Sequence, residues 1–132
     1  MKTVVIGCTH AGTSAVKSIL KEDPNMEVVV FERNDNVSFL SCGIALYIGD
    51  VVKDAQELFY SNPEELKSLG AKVHMEHNVL EVDDVNKTIK VHDMLNDEVF
   101  EETYDKLVLT TGSWPIVPPM PDIEAGDILL WK

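Results

Sequence analysis

Residues 3–12 read TVVIGCTHAG, a β-branched run that stops at a glycine and is followed by a helical pattern. Residues 3–6 predict a buried strand, because β-branched side chains favour extended backbone and no charged residue alternates with them. Apolar residues then recur at three- and four-residue spacing, which predicts a helix that ends before Pro24. Residues 27–31, EVVVF, predict a second buried strand closed by Glu32. Together these elements predict a strand–helix–strand unit, the building block of a parallel sheet.

The turn inside this unit, GCTHAG at residues 7–12, is close to the dinucleotide fingerprint G-x-G-x-x-G. Gly7 and Gly12 occupy the first and third glycine positions, and Thr9 stands in place of the second glycine. Glu32 follows at the distance of about 20 residues where an acid accepts ribose hydroxyls. The alternative is an ordinary strand-to-helix turn with a solvated glutamate. The position of Glu32 favours the nucleotide site.

Two helical segments are predicted in the middle of the chain. An Asn- and Asp-rich loop leads to FLSCGIAL, residues 39–46, which predicts one or two helical turns from Cys42 to Gly49. Residues 62–71, NPEELKSLGA, predict a clearer helix that Asn62 caps and that has proline at its first position.

The second half of the chain predicts further strands. Residues 72–75, KVHM, predict a third parallel strand, and residues 104–112 predict another buried strand that ends at Gly112. After a proline-rich crossover, DILLWK at residues 127–132 predicts a last strand. Three segments in between alternate apolar and polar residues, which indicates an antiparallel meander with one solvated face. These segments are residues 77–84, 87–93 and 98–104.

The predicted fold class is therefore α/β, a Rossmann-like domain built on a mostly parallel central sheet. We expect helices on the faces of this sheet and an inserted three-stranded antiparallel meander. All parts are expected to share one core, so residues 1–132 are interpreted as one domain.

Composition narrows the classes of partner. The chain has 132 residues and a formal net charge of −12, and it shows no basic patch that would neutralise phosphates. Nucleic acids and anionic membrane surfaces are therefore not expected as partners. No apolar run approaches the length of a membrane span. Two cysteines are too few for a secreted disulfide scaffold, which favours a cytoplasmic location.

A second polar turn supports the nucleotide site. Residues 107–113, LVLTTGS, place two hydroxyls and a glycine directly after a predicted parallel strand. Ligands of open α/β sheets bind outside the carboxyl ends of the strands. Together with the turn at residues 7–12, Thr110 to Ser113 predict a dinucleotide that crosses this edge of the sheet.

The order of these motifs, with SFLSCG at residues 38–43 and TTGSWP at residues 110–115, resembles a known family. It is similar to the N-terminal FAD-binding part of the pyridine-nucleotide-disulfide oxidoreductases. Within them it resembles the single-cysteine branch of NADH oxidases, NADH peroxidases and coenzyme A-disulfide reductases. LFYSNPEEL, residues 58–66, and the TTGSWPIVPP stretch look like those of the water-forming oxidases.

The resemblance implies FAD as cofactor and a role for each matching residue. Gly7 to Gly12 would wrap the FAD pyrophosphate, and Glu32, with Arg33 beside it, would bind the adenosine ribose through both of its hydroxyls. Val79 falls at the adenine, and Lys132 aligns with a basic FAD-contacting residue. The implied cofactor-binding residues are Gly7, Cys8, Thr9, His10, Ala11, Gly12, Glu32, Arg33, Cys42, Val79, Thr110, Thr111, Gly112, Ser113 and Lys132.

The resemblance also implies an activity. The intact enzyme would be a homodimer that oxidises NADH with oxygen and forms water; a peroxidase or a coenzyme A-disulfide reductase are the alternative activities. The family's NADH-binding and dimerisation domains are expected outside these 132 residues. A chain of this length is therefore expected to hold FAD, or only its adenosine half, without turnover.

Cys42 and His10 are the candidate catalytic residues. A lone cysteine is more often structural than reactive, but Cys42 begins a predicted helical turn, where the helix dipole favours a thiolate. The resemblance places it against the flavin, where it would reduce a peroxide and become a sulfenic acid. Tyr47 stands where disulfide reductases of the wider family carry a second cysteine. The resemblance gives His10 a part in proton transfer.

Two other features have simpler interpretations. Cys8 is expected to be a small buried residue, and a Cys8–Cys42 disulfide is not expected in a cytoplasm. His74 and His77 form an H-x-x-H pattern in a predicted strand without a converging carboxylate, so no metal site is expected.

Overall fold

The structure is a computed structural model that describes residues 1–113, 116 and 119. Its strands are β1 (Lys2–Ile6), β2 (Glu27–Glu32), β3 (Lys72–Met75), β4 (His77–Asp83), β5 (Thr88–Asp93), β6 (Glu98–Thr103) and β7 (Lys106–Leu109). Four of them form a sheet in the order β3-β2-β1-β7, and every pair in this sheet is parallel. The α/β class and the parallel sheet are confirmed. The predicted last strand at residues 127–132 lies outside the described residues.

Three helices were predicted and are present. Helix α1 (His10–Glu22) connects β1 to β2, and α2 (Ile44–Ile48) follows a single 3-10 turn at Ser41–Gly43. Helix α3 (Pro63–Ser68) begins after Asn62, whose side chain accepts a hydrogen bond from the Glu65 N–H at 2.7 Å. None of the helices in the described part of the chain is long and apolar enough to cross a membrane.

The meander is a separate three-stranded sheet, β4-β5-β6, and both of its pairs are antiparallel, as predicted. Two hairpin turns of the same design close it. In each turn an aspartate, Asp83 or Asp93, accepts hydrogen bonds from the backbone N–H groups two and three residues later. Such local bonds hold the tight turns between strands.

The parallel sheet is covered by different layers on its two faces. Alternate residues of β1 and β2 point to opposite faces, because strand side chains alternate. One buried cluster lies on the helix side and consists of Val5, Cys8, Val16, Leu20, Val28, Val30, Val37, Leu66 and Ala71. The other cluster lies on the meander side and consists of Val4, Ile6, Val29, Phe31, Ile89, Val91 and Tyr104.

This layering corrects two expectations. Among the described residues, helices α1 and α3 contribute to only one of the two clusters, and the meander covers the opposite face through Ile89 and Val91. The chain therefore has two apolar clusters with the sheet between them, where one shared core was expected. The reason is that an apolar strand only requires cover on both faces, and the alternating strand β5 supplies that cover as well as a helix.

Strand β7 also differs from its prediction. It was expected to be buried and to extend to Gly112, but it ends at Leu109 and pairs only with β1 within the described residues. Leu109 is 62% exposed as a result. Its position at the edge of the sheet leaves the following turn, residues 110–113, beside the turn after β1.

Leu66 tests the helix-side cluster. It is fully buried, so Leu66→Ala removes packing from between α3 and the sheet, and we expect unfolding free energy to fall by about 2–5 kcal/mol. Leu69→Ala is the matched control, because Leu69 is 44% exposed. It should change stability by no more than about 0.5 kcal/mol in urea unfolding. Equal losses in both variants would contradict this packing.

Candidate functional site

The turn between β1 and α1 has no room for side chains at its two glycines. Gly7 adopts a φ of +88°, and a Cβ there would collide with the carbonyl oxygen of Thr110. A Cβ at Gly12 would collide with the carbonyl oxygen of Gly7 and lie 2.9 Å from Thr110 Oγ1. The first and third positions of the fingerprint are thus sterically required. The backbone of the turn stays accessible to a ligand.

The first turn of α1 suits an anion. Thr9 is the N-cap, but its side chain makes no capping hydrogen bond, and no acidic residue stands in the first turn. The N–H groups at a helix start lack intrahelical partners and carry the positive end of the helix dipole. Combined with the glycine turn, they provide the donors that a pyrophosphate needs without a lysine.

Thr110 ties the end of β7 to this turn. Its Oγ1 lies 2.7 Å from the Gly7 carbonyl oxygen and 2.9 Å from the Ile6 carbonyl oxygen, and its backbone N–H also donates to Ile6. The hydroxyl therefore donates to the turn itself. Thr111 and Gly112 continue along the same edge of the sheet.

A cleft of about 300 Å³ opens at this edge. The predicted cofactor-binding residues that line it are Gly7, Thr9, Glu32, Arg33, Val79, Thr110, Thr111 and Gly112. Five lining residues were not predicted: Ile6, Phe31, Asn34, His77 and Asn78. The cleft joins the carboxyl ends of β1, β2 and β7 to the start of β4.

Other predicted residues lie around the cleft or away from it. Cys8 and Gly12 are buried behind the turn, whereas His10 and Ala11 are exposed on the first turn of α1. Ser113 is exposed and does not line the cleft. Cys42 lies in the 3-10 turn Ser41–Gly43 and does not line the cleft. Lys132 is outside the described residues.

Glu32 is buried at the base of the cleft and is held by three N–H donors. Its Oε2 accepts from the Cys8 N–H at 2.6 Å, and its Oε1 accepts from the backbone N–H and the Nδ2 of Asn34 at 2.9 and 2.7 Å. These bonds satisfy a carboxylate that is only 3% exposed. They also fix it relative to the glycine turn.

One wall of the cleft is aromatic. The rings of Phe31 and His74 stack with centroids 5.1 Å apart, and His77 lies 6.1 Å from Phe31. Burial lowers the pKa of His74, with a smaller contribution from His77. His77 Nδ1 lies 2.7 Å from the Met75 carbonyl oxygen. His77 thus forms part of this wall, and His74 packs on Phe31 without lining the cleft. No group of metal-ligating side chains occurs among the described residues.

Sequence reasoning missed this wall for identifiable reasons. His77 was considered only as half of an H-x-x-H metal pattern, although its position just after the predicted parallel strand at residues 72–75 was a signal for the cleft edge. Asn34 follows Glu32 by two residues and carries no motif of its own. Phe31 was counted only as an apolar strand residue.

The two cysteines have opposite environments. Cys8 is fully buried, and burial raises the pKa of its thiol, whose Sγ lies 3.6 Å from Thr13 Oγ1. The expectation of a small buried residue is confirmed. Cys42 is exposed in the 3-10 turn, and both cysteines are free thiols.

The Cys42 loop is fastened to the glycine turn. The Ser38 N–H donates to the Cys8 carbonyl oxygen at 2.9 Å. The Ser38 hydroxyl donates to the Ser61 carbonyl oxygen at 2.6 Å and accepts from the Ser61 N–H at 2.8 Å. The Leu40 N–H donates to the Leu58 carbonyl oxygen at 2.8 Å. The segment 58–61 is therefore the support of the loop.

The same segment holds His10. The Tyr60 ring stacks on the His10 imidazole with centroids 5.6 Å apart and an interplanar angle of 7°. Tyr60 also donates its hydroxyl to the Thr9 carbonyl oxygen at 3.3 Å. Segment 58–61 therefore contacts His10 and supports the loop that carries Cys42, although no hydrogen bond joins His10 to Cys42 among the described residues.

These features define a nucleotide-binding α/β domain with an exposed cysteine on an attached loop. The chain belongs to the pyridine nucleotide-disulphide oxidoreductase family, whose model matches residues 1–130. The family is FAD-dependent. The glycine turn and the uncapped start of α1 fit this cofactor, because they leave space and N–H donors for its pyrophosphate.

Individual relatives are similar over the whole chain. An NADH oxidase from Enterococcus faecalis is 64% identical over 132 residues, which are 100% of this chain and 30% of the relative. The structure of a water-forming NADH oxidase from Lactobacillus brevis bound to NADH matches with a TM-score of 0.93 and 60% identity. That match covers 96% of this chain and 28% of the other.

A more distant relative has another activity in its name. A coenzyme A disulfide reductase from Staphylococcus aureus is 32% identical over 115 residues, 85% of this chain and 26% of the relative. The chain thus spans about a third or less of the length of the curated relatives it matches.

Thr110 tests how the turn is held. Thr110→Val removes the hydroxyl that bonds to Gly7, so we expect stability to fall by about 1–3 kcal/mol because a carbonyl loses its donor. Thr111→Val is the control for stability, since Thr111 is exposed. Urea unfolding of the two variants measures the difference. A Thr110→Val variant as stable as Thr111→Val would show that the hydroxyl does not support the turn.

Proposed function

We propose that residues 1–132 form the FAD-binding domain of an NADH oxidase that reduces oxygen to water. The observation that carries the proposal is that the glycine turn and the Glu32 carboxylate meet in one cleft, with the exposed Cys42 on a loop bonded to that turn. The E. faecalis NADH oxidase, at 64% identity, favours this activity.

Different residues of the cleft would contact different parts of the cofactor. The turn from Gly7 to Gly12 would wrap the pyrophosphate, with the N–H groups of Thr9 to Gly12 as donors, because the Gly7 and Cys8 N–H groups already donate to Phe31 and Glu32. Glu32 would accept from the adenosine ribose. Val79 lies on the side of the cleft where the adenine would sit, and Thr111 and Gly112 would contact the cofactor along the sheet edge. Arg33, exposed at the cleft, would stay beside the ribose.

Bound FAD would supply the redox chemistry that couples NADH to oxygen. The Cys42 thiol would then act on a peroxide: its sulfur attacks one peroxide oxygen and the O–O bond breaks. Cysteine and hydrogen peroxide thereby become cysteine sulfenic acid and water. His10 would deliver the proton to the leaving oxygen, and Tyr60 would hold its ring in place.

The intact protein would use NADH and oxygen as substrates, act as a homodimer and reside in the cytoplasm. Residues 1–132 alone would bind FAD without turning over NADH, because the resemblance places the NADH-binding part elsewhere. The alternative activities are those of a peroxidase or a coenzyme A-disulfide reductase. The identity to the S. aureus reductase is half that to the E. faecalis oxidase, 32% against 64%, which favours the oxidase.

Flavin binding tests the cleft. The purified chain, incubated with FAD and desalted, should retain the yellow flavin absorption. Gly12→Ala should lose it, because the new Cβ collides with the Gly7 carbonyl oxygen. Ser14→Ala, an exposed position on the same helix, is the control and should retain flavin. A folded wild-type chain that stays colourless would contradict the proposed cofactor site.

Cys42 reactivity tests the catalytic part. Dilute hydrogen peroxide followed by dimedone should label Cys42, as mass spectrometry of peptides would show. Cys42→Ser should abolish the label, and Cys8→Ala should keep it, since Cys8 is fully buried. A label on Cys8 in the folded chain, or none on Cys42, would exclude the proposed thiol chemistry.

A further inference from the structure

Asn34 lies in the cleft beside Glu32 and has one unused polar atom. Its backbone N–H and its Nδ2 both donate to Glu32 Oε1. The amide nitrogen has to face Glu32, because a carboxylate only accepts hydrogen bonds. The carbonyl oxygen of the side chain, Oδ1, makes no hydrogen bond to any residue that the structure describes.

Glu32 has little acceptor capacity left. A carboxylate offers about four lone-pair sites. Cys8 occupies a site on Oε2, and Asn34 fills both sites on Oε1. About one site therefore remains, on Oε2. The adenosine ribose has two hydroxyl groups that need acceptors in a buried site.

We propose that Asn34 is a second ribose-binding residue: Glu32 Oε2 accepts one ribose hydroxyl, and Asn34 Oδ1 accepts the other. This inference rests on the proposed nucleotide site. It replaces the expectation that Glu32 binds both hydroxyls. Both residues line the same cleft, and the Asn34 amide is bonded to the Glu32 carboxylate at 2.7 Å, so the two side chains lie side by side and one ribose would reach both.

Asn34 is fixed for this role from two sides. Its side chain is held on Glu32, and its backbone carbonyl accepts from the Glu76 N–H at 3.2 Å. Glu76 directly precedes β4, whose first residues, 77–79, line the opposite wall of the cleft. Asn34 therefore connects the ribose side of the cleft to the wall proposed for adenine, and it needs no reordering when a ligand binds.

A purely structural role for Asn34 makes a different prediction. If Asn34 only stabilised the loop, its removal would weaken the binding of every nucleotide by the same factor. If Oδ1 accepts a ribose hydroxyl, the loss depends on whether the ligand has that hydroxyl. Ligands that differ only in their ribose hydroxyls separate the two roles.

The test is calorimetric titration of the chain with ADP, 2′-deoxy-ADP and 3′-deoxy-ADP. Asn34→Ala should weaken the binding of ADP roughly three- to tenfold, the effect of losing one hydrogen bond. With one of the two deoxy analogues, wild type and Asn34→Ala should bind equally, and with the other the loss should persist. Asn34→Ser, whose side chain is too short for the same contacts, should give the same pattern if the alanine variant folds poorly.

Asn36→Ala is the matched control, because its Nδ2 bonds only to Asp35 Oδ1 at 2.7 Å. It should leave the binding of all three ligands unchanged. The inference is overturned if Asn34→Ala weakens all three ligands equally or leaves ADP binding unchanged. If the wild-type chain binds none of the three ligands, the proposed nucleotide site is wrong, and this inference is wrong with it.

Discussion

The hydrogen bond from the Cys8 N–H to the Glu32 carboxylate, 2.6 Å long and buried, joins the two parts of the cleft. A carboxylate at this depth is tolerated only where donors satisfy it, and both of its oxygens are bonded. The bond therefore makes the glycine turn and the end of β2 depend on each other. A backbone shift at Cys8 would leave the carboxylate without one of its donors, and loss of the carboxylate would free the turn that is proposed to hold the pyrophosphate.

The same turn carries the loop of the exposed cysteine. The Cys8 carbonyl oxygen accepts from Ser38, whose hydroxyl makes two bonds to Ser61, so the cleft and the Cys42 loop share one hydrogen-bonded frame. Ser38 adopts a φ of +60° and is fully buried, a backbone conformation that a non-glycine residue keeps only where its surroundings fix it. The two cysteines therefore differ in role. The backbone of Cys8 forms part of this frame, whereas Cys42 lies exposed on the loop that the frame supports.

The sequence was most informative where a period or a cap determines local structure. The apolar runs of β1 and β2, the alternation of residues 77–104 and the Asn62 cap each have a local physical cause, and each was predicted. The layer that covers a sheet face cannot be predicted from local sequence. The alternation at Ile89 and Val91 predicts that these residues point inward, but it does not predict which layer they pack against. The role of Asn34 was not predicted for the same reason, because only the folded structure shows that its amide donates to Glu32.

Charge explains why this site relies on backbone groups. In a chain of net charge −12, a dinucleotide pyrophosphate adds further negative charge, and repulsion has to be offset locally. The first turn of α1 carries no acid, and Glu32, the one buried carboxylate among the described residues that line the cleft, is held by three N–H donors at the proposed ribose position. The N–H donors of Thr9 to Gly12 are neutral, and the close packing at Gly7 and Gly12 fixes their positions. Recognition of the cofactor would therefore depend on the geometry of this turn, and that geometry requires its two glycines, because protein atoms already fill the space that a Cβ would take.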